Sequence, residues 1–148
     1  MTYEEIIREL RGLKAEDFDY NPAVGINHLY KITAAIKMIP SPERLIPEMF
    51  AVIERLSESD MGAPGPLVHA LEEMSGKGYE QELVRSIQRQ PTSNSVGMVN
   101  SILNAGLSSE SRNSYMNLLR DVVRNPDSSE DARNRAEHYI EYQNDRIP

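Results

Sequence analysis

The stretch Gly65–Asn104, GPLVHALEEMSGKGYEQELVRSIQRQPTSNSVGMVNSILN, constrains the fold most tightly. It holds three short runs of apolar residues at helical spacing, each bounded by breakers. Pro66 opens the first run, and Gly76 is placed to close it in a left-handed cap. Tyr79, Leu83, Val84 and Ile87 mark the inner face of the second, which Pro91 closes. Thr92 caps the third, which carries Val96, Val99, Ile102 and Leu103 and stops at Gly106. A chain punctuated this often must build its core from many short helices.

The same grammar runs through the rest of the chain. Thr2 and Glu5 have the spacing of a capping box, and Ile6, Ile7, Leu10 and Leu13 follow at helix period. Ala15–Tyr20 (AEDFDY) reads as an acidic connection. Asn21-Pro22 starts a second helix with Ile26, Leu29, Tyr30, Thr33 and Ile36 on one face, stopping near Pro40. Ser41-Pro42 repeats the start signal. Pro47 then interrupts, so the spacing predicts a short turn over 42–46 and a helix over 47–57. Ser108 opens a helix that Asn125-Pro126 ends, and Ser128 or Ser129 starts the last one, with Ala132, Ala136, Tyr139 and Ile140 inside. The tail 144–148 is expected to fray.

The fold class is therefore all-α, with about eight short helices. Short connections make successive helices neighbours, which suits a compact bundle or stacked helical hairpins of the HEAT or armadillo kind. At 148 residues the chain reads as a single helical domain, 1–148. The breaker cluster ESDMGAPGP at 58–66 marks a boundary between two halves of it.

Composition excludes several classes of function. With no Cys there is no disulfide scaffold, thiolate metal site or Cys nucleophile. The N-terminus, MTYEEIIREL, lacks the basic and apolar regions of a signal peptide. No run approaches the ~20 apolar residues of a membrane helix. The chain is expected to be soluble and cytoplasmic. Its net charge of −7 disfavours nucleic acid and anionic membranes and suits a basic partner.

No catalytic constellation emerges. His69…Glu72 and His138…Glu141 reverse the Glu-x-x-His order of di-iron bundles, and H-E-x-x-H is absent. A helical metal enzyme is therefore the least favoured reading. There is no G-x-S-x-G elbow and no phosphate-binding glycine loop, and many of the Ser residues sit where helices begin. No enzyme activity, cofactor or metal is expected.

Charge, by contrast, is unevenly placed. Residues 41–76 hold seven carboxylates against two guanidinium groups, whereas residues 77–125 are net basic. Glu72-Glu73 falls late in its helix, where the dipole favours basic residues instead. Glu54, Glu58, Asp60, Glu72 and Glu73 are the candidate partner-binding residues. They form an acidic surface if the helices over 47–57 and 66–75 pack together.

GPLVHALEE, YEQELVRSIQRQPT and SVGMVNSILN together resemble a group of small all-helical bacterial immunity proteins. These are found beside toxins of polymorphic or contact-dependent growth-inhibition systems. The resemblance covers about 40 residues well, and what it matches is structural rather than catalytic. It implies a cytosolic protein that binds a cognate toxin domain, often a nuclease with a basic surface, and blocks it. The alternative is a HEAT-like adaptor or regulatory scaffold for another protein.

Overall fold

A computed structural model describes residues 1–146. It is all-α: no β-strand occurs among the described residues, which hold nine α-helices and one 3-10 turn. The helices are α1 Tyr3–Gly12, α2 Glu16–Asp19, α3 Pro22–Met38, α4 Ile46–Arg55, α5 Pro66–Glu72, α6 Tyr79–Arg89, α7 Ser93–Asn104, α8 Ser109–Arg124 and α9 Glu130–Asp145. The 3-10 turn, Pro42–Leu45, precedes α4. No helix among the described residues is long and apolar enough to cross a membrane.

The start signals act as their chemistry requires. Thr2 and Glu5 form a reciprocal capping box on α1, and Asn21 accepts from the Ala23 N–H at the start of α3. Thr92, Ser108 and Ser129 cap α7, α8 and α9 in the same way. Two expectations about the helices of the first half change. The acidic connection 15–20 contains a helical turn, α2, because Phe18 folds inward and is buried. The helix expected to reach Ser75 ends at Glu72, and turns lead through the left-handed Gly76 and Gly78 into α6.

Packing divides the chain into two compact units, Met1–Glu82 and Leu83–Pro148. The division falls inside α6 and not at the 58–66 breaker. That breaker is a turn held within the first unit: Met61 and Gly65 are buried, and α4 packs against α5 across it.

In the first unit α1 packs against α3 and α4, and α3 against α5. Ile6, Leu10, Leu29, Ile32, Ile36, Met49, Phe50, Ile53 and Leu71 are fully enclosed. Polar contacts reinforce the α1–α4 pairing. The Arg55 guanidinium donates to the carbonyls of Leu10 and Leu13 at 3.0 and 3.1 Å, at the C-terminal end of α1. Arg11 pairs with Glu48, and Arg44 lies 4.3 Å over the Tyr3 ring.

In the second unit α7, α8 and α9 pack pairwise as a three-helix bundle. Gln143 on α9 is buried and joins all three helices. Its amide nitrogen donates to Asn100 and Asn104 of α7 at 2.7 and 2.8 Å. Its side-chain and backbone oxygens accept from Arg112 of α8. Residues 144–146, expected to fray, instead complete α9 and its cap, and Arg146 reaches Asn104 and Tyr142; Ile147 and Pro148 lie outside the described residues.

Glu80 fixes the entrance to α6. Burial pushes its carboxyl up, but hydrogen bonds from the Ser75 hydroxyl and the Gly76 N–H outweigh that and hold it below its ordinary value. A carboxyl lowered in the folded state stabilises the protein above the unfolded pKa, about 4.3 for Glu. That contribution is lost as pH falls through the lower folded value. Glu80→Gln is expected to cost about 1 kcal/mol at pH 7. The gap to wild type should close in acid, below about pH 4. Urea denaturation of both proteins across that range measures it.

Candidate functional site

The first unit carries a cleft of about 570 Å³ between α1, α2 and α3. Its floor exists because residue 25 is a glycine. Phe18 lies against Gly25, where an added Cβ would approach two Phe18 ring carbons to 2.5 and 2.6 Å. This lets α2 fold down onto α3, and the cleft opens between that pair and α1.

The cleft wall carries charge of both signs. His28 Nε2 lies 3.1 Å from Glu9 Oε2, and both side chains are partly exposed. Arg8 and Glu16 also line the wall. Asp17 is committed locally, accepting from the Lys14 N–H at 2.8 Å. The lip is apolar, formed by Tyr20, fully exposed, and Val24, 63% exposed. No Ser, Thr or Cys lines the cleft. The arrangement suits an apolar side chain of a partner flanked by charged groups.

The apolar lip continues along α3. Gly25, Leu29, Ile32, Thr33 and Ile36 turn inward and set the buried direction. Val24, Lys31 and Met38 recur at seven-residue spacing on the opposite face, and Tyr30, Ala34 and Met38 at four. Tyr30 is 54% and Met38 85% exposed. Single exposed apolar residues are ordinary; here Val24, Tyr30 and Met38 stand on one helix beside the cleft, with Lys31 among them.

The five acidic candidates all fall on the first unit, and α4 and α5, which carry or flank them, do pack together. Their chemistry differs from one to the next. Glu73 pairs with Lys37 of α3 at 3.3 Å. Asp60 accepts from the Gly62 N–H and shapes its own turn. Glu54 is half-buried and has an internal interaction. Only the side chains of Glu58, exposed, and Glu72, half-buried, make no hydrogen bond or ion pair among the described residues. Lys37 precedes Met38, so the Lys37–Glu73 pair joins the apolar face of α3 to the acidic end of α5.

His69 is exposed on α5 of the first unit, while His138 lies on α9 of the second, beside Tyr139. Sequence reasoning passed over Tyr20, Val24 and Met38 and placed Tyr30 inside. The signal available was the inward stripe of α3 through Leu29, Ile32 and Ile36, from which Val24, Tyr30 and Met38 diverge.

No protein-family model matches the chain, and comparison with the curated proteins and with the solved structures gives no match either.

Proposed function

We propose that this chain is a binding protein that neutralises a cognate toxin domain by covering it, with the first unit as the contact surface. The observation that carries this reading is the row of exposed apolar residues Val24, Tyr30 and Met38 on α3 beside a cleft whose wall carries Arg8, Glu9 and Glu16. Apolar anchors ringed by charge are what protein interfaces use. A net charge of −7 favours encounter with the basic surface of a nuclease-type toxin. The sequence resemblance to small helical immunity proteins supports the same reading. Inhibition by occlusion needs shape and charge complementarity and no catalytic group.

The two parts of the surface carry different kinetic signatures. Val24→Asp places a charge in the apolar lip, and it is expected to weaken the complex with the cognate toxin domain at least about tenfold, mainly through faster dissociation. Glu58→Lys with Glu72→Lys is expected to slow association about tenfold and to flatten its salt dependence. Surface plasmon resonance at two ionic strengths separates the effects. Unchanged kinetics in both variants would move the interface away from the first unit.

A further inference from the structure

The second unit has a recognition feature of its own. A groove of about 400 Å³ runs between α6 and α8, and a smaller hollow continues it, sharing Gln88, Leu118 and Asp121. Val84, Ile87 and Leu118 give it an apolar floor. Glu110 and Asp121 are the charged residues that line it, and Gln88 and Asn117 add neutral hydrogen-bonding groups. No basic residue lines either part.

The two carboxylates are not consumed by the fold. Neither side chain makes an ion pair or hydrogen bond among the described residues. Glu110 stands in the first turn of α8, where the helix dipole accounts for a negative charge. Asp121 stands in the last turn, where the dipole opposes one. Helix stability therefore gives no reason for Asp121 to be acidic.

We propose that this groove is a docking site for a cationic amphipathic helix of a partner protein. Glu110, Ser114, Asn117 and Asp121 are spaced i, i+4, i+7 and i+11, which places them on one face of α8. The carboxylates stand about 16 Å apart along the helix at 1.5 Å per residue. A helix laid alongside α8 meets both when it carries Lys or Arg eleven residues apart. Apolar residues four and seven positions after the first of them then rest on the Val84–Leu118 floor. A phosphate-bearing ligand is disfavoured, since the charged lining is entirely negative. The proposal rests on residues of the second unit and stands independently of the toxin reading.

The test uses the full chain and two fluorescein-labelled peptides of about 18 residues, five turns of helix, in an Ala/Gln background. Both carry Leu at the two central positions; one has Lys at the outer pair and the other Glu. Fluorescence anisotropy is expected to show the Lys peptide binding at least about tenfold more tightly. E110K/D121K, which changes two exposed residues and is checked for unaltered helicity by circular dichroism, is expected to reverse that preference. Amide chemical-shift changes on adding the Lys peptide should cluster on α6 and α8. Equal affinity for the two peptides, no binding of either, an unchanged preference in the double variant, or shifts centred on α3 would each overturn the proposal.

Discussion

Phe18→Ala is expected to lower the stability of the first unit by about 3–5 kcal/mol, the range for truncating a buried aromatic residue. Phe18 is the one side chain of α2 that enters the core, and its ring fills the space left by Gly25. The rest of α2 is acidic and exposed, so nothing else in it replaces that anchor. Loss of the ring should release residues 15–20 and erase the cleft wall they form. Gly25→Ala attacks the same contact from the other side. Its Cβ would press on the Phe18 ring and come within 2.7 Å of the Asp17 carbonyl oxygen. Both variants should therefore expose 15–20 to hydrogen exchange. Denaturant melts with exchange mapping measure this, and a loss under about 1 kcal/mol for Phe18→Ala would mean that α2 is not docked.

Gly65→Ala is expected to be the most damaging of the glycine-to-alanine changes, costing about 3 kcal/mol, the upper end of overpacking effects. Its conformation is not the difficulty, since φ is −96° and within reach of any residue. The difficulty is space. Gly65 is buried, and an added Cβ would overlap the Met61 carbonyl oxygen, a backbone atom that cannot swing aside. Relief requires the turn over 58–66 to open, which displaces Asp60 from Gly62 and shifts the start of α5. Gly12→Ala is the matching control. A Cβ there meets nothing within 4 Å, and Ala is the better helix former, so that variant should be neutral or stabilised by about 0.5–1 kcal/mol. Thermal melts of the two variants side by side test the contrast.

Much of the fold was legible because helix ends are local chemistry. A capping box, an Asn-Pro start or a Gly stop at 106 acts through neighbours a few residues away, and each occurs in the structure where the sequence places it. The surprises are tertiary. EDFD reads as polar connection, and only the absence of a Cβ at Gly25, on the next helix, makes it a docked turn. Tyr30 shares its i, i+4 spacing with Ile26, yet the buried direction of α3 is set by α1, α2 and α5, which contact it from the other side. The acidic character of 41–76 was plain in the sequence. What it could not reveal was that Glu73 is held by Lys37 and Asp60 by its own turn, leaving Glu58 and Glu72 unpaired. The 58–66 breaker was equally visible, but a run of turn residues does not say whether the flanking helices separate or, as α4 and α5 do, pack together.

Neutralisation of a toxin by binding it is tested by co-expressing this chain with the protein encoded immediately upstream. The reading is a growth curve together with the mass of the purified complex. The expected result is restored growth and a stable one-to-one complex, with both lost in a Val24→Asp variant that remains folded. A toxin that still arrests growth while this chain is abundant, folded and unbound would contradict the claim.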